Sequence, residues 1–172
     1  MMCMKQFLFV ILLLNVFIVN AQNPEGFDSN CKKYITGSIP LVYPSQLYSV
    51  IKSPNTVVLD ARGKSEFEVS HIYKAQYVGY EKFNINNIGE VSKSDSIYIY
   101  CSIGYRSEKI GEQLKKQGYK NVFNLYGGIF NWVNSGYKVI DKENNQTKNV
   151  HGYDKEWSKM LNSKKSSVVL NK

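Results

Sequence analysis

The residues around Cys101 are of the types that would activate a nucleophilic cysteine. The strand-like run SIYIY at 96–100 leads directly into it, and a loop of four residues, SIGY at 102–105, follows. Arg106 then opens a helical pattern that continues to about residue 117. A strand, a short loop and a helix in this order point backbone N–H groups at one spot beside a helix N-terminus.

A sulfur atom at that spot lies in positive potential, which favours the thiolate, the reactive form of cysteine. Arg106 can hold an oxyanion through two parallel N–H donors, and Gly104 supplies a backbone geometry that a side chain would hinder. The loop therefore predicts Cys101 as the catalytic residue, within an anion cradle. The predicted substrate-binding residues are Ser102, Ile103, Gly104, Tyr105, Arg106 and Ser107. The alternative is a buried, inert cysteine that closes a strand.

The first 21 residues have the profile of a secretory signal peptide. Lys5 supplies a short positively charged n-region, and residues 7–19 are apolar except for Asn15. Residues 19–21, which end at Ala21, fit a signal-peptidase cleavage site. The apolar run is short for a membrane span, so an uncleaved anchor is the less favoured alternative. We therefore expect an exported protein, periplasmic or secreted, with no stable membrane span after cleavage.

The charge and the cysteine content limit which partners and which cysteine states we expect. The 172 residues carry a formal charge of +8, and the lysines are spread out without an aromatic-interleaved basic stripe. A nucleic-acid partner is therefore not expected. Removal of the signal leaves Cys31 and Cys101. Two cysteines in an exported protein can form a disulfide. Cys31, however, lies in the polar segment 22–36, which has no periodicity and which we expect to be loose. We therefore expect Cys101 to be free.

Between residues 37 and 141 predicted strands alternate with predicted helices. This alternation indicates an α/β fold, with a mostly parallel central sheet covered by helices on both faces. Ligands in such sheets bind beyond the carboxyl ends of the strands, where Cys101 lies. The predicted strands are 39–43, 56–60, 75–78, 96–100 and 121–125, and the predicted helices begin near residues 44, 64, 106 and 128.

From residue 142 to 172 the chain is a polar tail. A short helix is expected within 151–161, where Trp157, Met160 and Leu161 share one face, and the final residues, 163–172, are expected to be disordered. The helix is expected to pack back on the domain, or alternatively to bind a partner. All the candidate site residues precede this tail, so the active site is predicted to lie outside it.

The segment 37–141 resembles a single rhodanese (sulfurtransferase) domain. Three segments carry the resemblance: VVLDAR at 57–62 with EF at 66–67 and HI at 71–72, the loop CSIGYRS at 101–107, and YGGIFNW at 126–132. The chain departs from the family pattern where the family has two glycines, because Ser70 and Lys74 stand there.

The resemblance implies that Cys101 takes a sulfane sulfur from an anionic donor such as thiosulfate and becomes a persulfide. It then passes the sulfur to cyanide or to a thiol acceptor, and neither a metal nor an organic cofactor is needed. Arg106 would hold the donor or the leaving sulfite. Asp60, Arg62 and His71 are expected to be supporting residues that brace the loops around the site.

Two other functions remain open at this point. A cysteine phosphatase or arsenate reductase on the same fold uses a wider loop, whereas only four residues separate Cys101 from Arg106 and no aspartate lies between them. The second alternative is a catalytically weak binding module that uses its tail to dock a partner.

Overall fold

The computed structural model describes residues 23–170 of the chain. The predicted signal peptide lies outside these residues. No helix within the described range combines the length and the apolar character needed to cross a membrane.

A five-stranded sheet forms the centre of the protein, in the spatial order β1-β5-β4-β2-β3. Every pair of neighbouring strands in it is parallel, as the sequence predicted. Strands β2, β4 and β5 have the predicted bounds because continuous apolar runs specify strands buried on both faces. The strands are β1 (Leu41–Val42), β2 (Thr56–Asp60), β3 (Ala75–Tyr77), β4 (Ser96–Tyr100) and β5 (Asn121–Leu125).

Helices cover both faces of this sheet. On one face α1, α2 and α5 pack against a cluster that includes Val58 and Tyr100. On the other, α4 and a 3-10 turn, Ile85–Ile88, pack against a cluster that includes Leu59 and Ile99. Adjacent residues of a strand thus serve opposite faces. The helices are α1 (Phe27–Tyr34), α2 (Pro44–Val50), α3 (Lys64–Val69), α4 (Tyr105–Lys116), α5 (Gly128–Asn134) and α6 (Lys155–Ser158).

The segment expected to be loose, 22–36, instead contains the helix α1. Phe27 and Cys31, one helical turn apart, are both buried and hold α1 on the sheet. The following backbone is held by the buried carboxylate of Glu108, which accepts hydrogen bonds from the N–H groups of Thr36, Gly37 and Ser38 at 2.9, 2.6 and 3.0 Å. Two apolar residues in a polar stretch gave too short a pattern to predict this helix, and the carboxylate that anchors it is about 70 residues away in sequence.

The tail is also more ordered than expected. Its helix α6 covers only four residues, and the stretch expected to be disordered carries β9 (Ser167–Val169), which pairs in parallel with β8 (Asn149–His151). A separate two-stranded antiparallel pair joins β6 (Val139–Ile140) to β7 (Gln146–Thr147). Packing back on the domain is confirmed, because Val150, Met160 and Leu161 are buried in the main core. Nonlocal pairing of this kind leaves no periodic signal in a polar sequence.

Lys74, at one of the two positions where the rhodanese pattern has glycine, adopts a positive φ of 64°. A left-handed backbone costs a residue with a Cβ about 1–2 kcal/mol. We therefore expect Lys74→Gly to raise the free energy of unfolding by about 1 kcal/mol, measured by urea denaturation. Lys82→Gly is the control, because that lysine has no positive φ and its replacement should bring no gain. Equal effects of the two substitutions would contradict the strain at Lys74.

Candidate active site

The sulfur of Cys101 lies at the carboxyl end of the central strand β4 and is almost fully buried. The backbone N–H of Gly104 donates a hydrogen bond to Sγ at 3.1 Å, which stabilises negative charge on the sulfur. Gly104 has a φ of 117°, and a Cβ there would lie 2.7 Å from Cδ1 of Ile35. The loop therefore needs glycine at this position to bring its N–H to the sulfur.

Helix α4 adds a second source of positive potential. It begins at Tyr105, one residue earlier than predicted. The N–H groups of its first turn have no acceptor within the helix, and they lie at the helix end nearest to Cys101. The Gly104 N–H and the start of α4 thus supply two of the features expected of an anion cradle, and anion binding there stays a prediction.

The guanidinium of Arg106 lies against a carboxylate. Its Nη1 and Nη2 donate to Oε2 and Oε1 of Glu66 at 2.8 and 2.9 Å, and Nη2 also donates to Oγ of Ser102 at 3.0 Å. The Ser102 hydroxyl in turn donates to Oε1 of Glu66 at 3.1 Å. Arg106 therefore makes its bidentate contact with Glu66, not with a bound sulfur donor. Binding of an anionic sulfur donor by Arg106 stays a prediction.

Glu66 is ionised in this arrangement. Burial alone would raise its pKa, but the hydrogen bonds and charge of Arg106, helped by Arg62 and the N–H of Gly63, hold that pKa below its usual value. Its side chain is only 6 % exposed, so the ion pair is little screened by water. Glu66 thus links helix α3 to residues 101–106, which we call the reactive loop.

We expect Glu66→Gln to lower the free energy of unfolding at pH 7 by about 1–3 kcal/mol, because the amide loses the negative charge and turns an NH2 donor towards the donors of Arg106. Since the folded-state pKa is lowered, the stabilisation is present above the unfolded pKa of about 4.3 and is lost as pH falls through the folded value. Urea denaturation at pH 7 and near pH 3 measures this, and the gap between wild type and variant should narrow in acid. The control is Glu68→Gln, whose carboxylate is exposed and makes only a long contact of 3.8 Å to Lys64. A gap that widens in acid would contradict the assignment.

Ser107 was expected beside the substrate, but the structure assigns it a different place. Its hydroxyl is fully buried and donates to Oδ1 of Asn124 at 2.8 Å. Asn124 then donates through Nδ2 to the carbonyl of Gly104 at 2.9 Å. Ser107 and Asn124 therefore hold the loop backbone at Gly104, and neither lines the pocket.

Asp60 and Arg62 form a fully buried ion pair at 2.7 Å, and Arg62 also donates to the carbonyl of Ser70 at 2.6 Å. His71 stacks on Phe67 with ring centroids 4.0 Å apart, and its Nδ1 lies 3.1 Å from the Phe67 carbonyl oxygen. Burial lowers the pKa of His71 and outweighs the opposing effect of that carbonyl, so the ring is neutral at pH 7. These contacts fit the supporting role expected for Asp60, Arg62 and His71.

The Gly-Gly turn before α5 holds the other side of the reactive loop. The N–H groups of Ile129 and Phe130 donate to the carbonyls of Cys101 and Ser102 at 2.9 and 3.2 Å. Gly128 has a φ of 54°, and a Cβ there would meet the Cys101 carbonyl oxygen and lie 2.6 Å from that of Ser102. The motif at 126–132 therefore positions the nucleophile, which its spacing alone did not reveal.

A pocket of about 470 Å³ opens above Cys101. Four of the predicted site residues besides the cysteine help to line it, whereas Gly104 and Ser107 do not. Within residues 23–170 no cluster of His, Cys, Asp and Glu has a geometry that could hold a metal ion. The lining residues are Tyr34, Tyr80, Glu81, Cys101, Ser102, Ile103, Tyr105, Arg106, Tyr153 and Trp157.

The second cysteine of the described chain, Cys31, is a free thiol, as is Cys101. Burial, with smaller contributions from the charges of Asp28 and Cys101, raises the pKa of Cys31 to about 12. Cys31 therefore remains protonated and is a core residue of α1, contrary to the loose segment expected around it.

Sequence reasoning missed several residues of this site. Glu66 was noted only as part of a motif. It is the third residue of the helix that follows Arg62, and a carboxylate at that position could have indicated a structural partner. Asn124 stands within an apolar strand, which also signals a structural hydrogen bond. No local pattern pointed to the lining residues Tyr34, Tyr153 and Trp157, because only the folded chain brings the two terminal segments to the loop.

Comparisons with known proteins agree with this geometry. The chain is 37 % identical over 91 residues to the tRNA uridine(34) hydroxylase of Bacillus pumilus (strain SAFR-032), and 35 % identical over 91 residues to that of Bacillus thuringiensis (strain Al Hakam). These matches cover 50 % of this chain but only 28 % of the relatives, so the chain matches less than a third of their length.

Among solved structures, a rhodanese-related protein from Thermoplasma volcanium superposes with a TM-score of 0.52 at 25 % identity, covering 59 % of this chain and 97 % of the other. A Bacillus halodurans protein superposes at 0.55 and 22 % identity, covering 66 % and 85 %. The family model described as the rhodanese-like domain matches residues 43–135, which is more than half of the chain. On this match, and on the parallel sheet with its cysteine loop, the chain belongs to the rhodanese-like domain family.

Proposed function

We propose that the protein is a sulfurtransferase that carries a sulfane sulfur as a persulfide on Cys101. The observation that carries the proposal is the environment of Sγ, which accepts the Gly104 N–H at 3.1 Å at the floor of an open pocket. A structural cysteine needs neither the amide nor the pocket. The same amide can stabilise the terminal sulfur once the persulfide has formed.

The reaction balances without a cofactor. The Cys101 thiolate attacks the outer sulfur of thiosulfate, a new S–S bond forms, the donor S–S bond breaks, and sulfite leaves with the bonding electron pair. A cyanide or thiol acceptor then attacks the terminal sulfur, and Cys101 returns as a thiolate. The charge on each side is equal, and no external reductant or oxidant is consumed.

Arg106 has a specific part in this proposal. Held by Glu66 and Ser102, its guanidinium fixes the loop and adds positive charge beside the reacting sulfur. Because Glu66 shares that charge, the attraction for a doubly charged donor is weaker than for an unpaired arginine. Asp60, Arg62 and His71 support the surrounding backbone and take no chemical step.

The alternatives are less well supported. A phosphatase needs an arginine free to bind the phosphate oxygens, whereas Arg106 is paired with Glu66. A binding module does not require the amide that Gly104 directs at the sulfur. The hydroxylase activity in the relatives' names belongs to proteins that this chain matches over 28 % of their length, so we do not carry it over to this chain.

Mass spectrometry of the purified protein after incubation with thiosulfate tests the proposal. We expect a mass increase of one sulfur atom on the peptide that contains Cys101, removed by added cyanide with formation of thiocyanate. The peptide of Cys31 is the internal control and should stay unmodified, because that thiol is buried and protonated. Absence of the Cys101 adduct with thiosulfate and with organic sulfane donors would overturn the proposal in favour of a binding module.

We also infer that residues 1–21 direct export and are removed. The support is the charge and hydropathy pattern of that segment. Expression of the full chain in a bacterial host, followed by mass analysis of the periplasmic fraction, should give a protein that begins at Gln22. An uncleaved chain in the cytoplasmic fraction would contradict the inference.

A further inference from the structure

Tyr80 and four other aromatic side chains line the pocket above Cys101, and we call these four the aromatic rim: Tyr34, Tyr105, Tyr153 and Trp157. The Tyr34 ring lies edge-on to Trp157 at 5.2 Å and to Tyr105 at 6.5 Å between centroids. These three rings form a continuous row. The three tyrosines are each more than 40 % exposed, so aromatic surface remains available for a ligand.

Most of this rim comes from outside the family segment 43–135. Tyr34 ends helix α1, whereas Tyr153 and Trp157 belong to the tail. The rim is therefore an addition of this chain to the loop that it shares with its family.

The tail residues of the rim are held in place. Tyr153 has a φ of 67°, an uncommon conformation for a bulky residue, and its N–H donates to Nδ1 of His151 at 3.0 Å. Backbone strain of this kind persists only where the surroundings over-determine it. Asp154 caps α6 through the N–H groups of Glu156 and Trp157, both at 2.8 Å. The rim is thus largely preformed before a ligand arrives.

The charge in the pocket is mostly compensated. Among its lining residues within the described chain, Glu81 and Arg106 are the charged ones. Arg106 is paired with Glu66, and its guanidinium carbon lies 5.3 Å from the centroid of the Tyr153 ring. The pocket therefore offers aromatic area but little free positive charge. A small inorganic dianion has no planar apolar surface to pack on the rings and would gain little from the charge.

The volume of about 470 Å³ falls in the range of sites that bind organic molecules, about 300–1,000 Å³. Rings arranged edge-on leave space in which a planar group can stack or meet an edge. Size, charge and ring geometry thus favour a planar organic body attached to the reacting sulfur.

We propose that this site takes its sulfur from an organic donor with an aromatic body, of the arylthiosulfonate class, which packs on the aromatic rim. The proposal rests on the sulfurtransferase function above. The Cys101 thiolate attacks the outer sulfur of the monoanionic donor, the bond between that sulfur and the sulfonyl sulfur breaks, and the arenesulfinate leaves with the electron pair. The products are the persulfide and a sulfinate, with the total charge unchanged.

The test compares benzenethiosulfonate with methanethiosulfonate, which share the reacting group and differ in the body. The rate constant for sulfur loading on Cys101 is measured for both donors, and the benzene-to-methane ratio is compared between proteins. We expect Tyr34→Leu and Trp157→Leu each to lower this ratio roughly two- to tenfold, the value of one aromatic contact. Leucine keeps an apolar side chain without a ring at each position, and thermal melting checks the fold.

Two variants serve as controls. Tyr34→Phe keeps the ring and should keep the ratio within about twofold of wild type. Tyr73→Ala removes a tyrosine that is 50 % exposed and does not line the pocket, and it should leave the ratio unchanged.

The two proposals fail in different ways. If neither thiosulfonate nor thiosulfate places sulfur on Cys101, the sulfurtransferase function is overturned, and the donor proposal falls with it. If the donors do load Cys101 but both leucine variants keep the wild-type ratio, only the role of the rim is overturned. A second readout needs no turnover: benzenesulfinate should quench the tryptophan fluorescence of the Cys101→Ser protein at lower concentration than methanesulfinate, and equal concentrations would contradict the rim.

Discussion

Cys101→Ser should abolish sulfur loading, with the rate constant falling by more than about a thousandfold. A serine hydroxyl is far less ionised than a thiol, and its oxygen is a poor carrier of sulfane sulfur. The replacement is close to isosteric, and Gly104 can still donate its N–H to the oxygen that replaces Sγ. We therefore expect the melting temperature to change by only a few degrees while the activity is lost.

Sulfur loading is measured by mass spectrometry and by thiocyanate release from thiosulfate and cyanide. Cys31→Ala is the matched control, since it removes the other cysteine of the described chain without touching the pocket lining. It is expected to lower stability, because Cys31 is fully buried, but to keep loading on Cys101. Substantial turnover by Cys101→Ser would show that another group is the nucleophile.

Gly128→Ala should have the largest effect on stability, a loss of about 2–5 kcal/mol in the free energy of unfolding. A left-handed backbone with a Cβ costs about 1–2 kcal/mol, and an overpacked contact costs a further 1–3 kcal/mol. The added Cβ would lie 2.6 Å from the Ser102 carbonyl oxygen. That oxygen cannot easily turn away, because it accepts the N–H of Phe130.

The loop that carries Cys101 would have to shift to relieve this contact, so sulfur loading should fall together with stability. Urea denaturation gives the free energy, and loading is measured below the unfolding transition. Gly118→Ala separates the two costs, since Gly118 has a φ of 86° but an added Cβ there would meet nothing within 4 Å. It should lose only the backbone cost, and an equal loss in both variants would exclude the steric clash.

The sequence alone determined the central architecture and singled out Cys101 as the nucleophile that we propose. Continuous apolar runs such as 56–60 and 96–100 specify buried parallel strands, because both faces of each strand meet helices. Cys101 follows such a strand and precedes a glycine-containing loop, so its place at the carboxyl edge of the sheet follows from the chain order. The resemblance at 101–107 then indicated the chemistry from a contiguous stretch of residues.

Only the tertiary structure decided what surrounds that nucleophile. The pairing of Arg106 with Glu66, 40 residues earlier, depends on how α3 packs against the reactive loop, and neither residue signals the other locally. Tyr34 and Trp157 lie 123 positions apart in the chain and meet at 5.2 Å over the pocket. Contacts of this kind arise from the docking of the two terminal segments on the sheet, whereas periodicity and spacing report only on neighbours within one element. The sequence therefore pointed to the candidate reacting atom, and the fold determined the pocket that surrounds it.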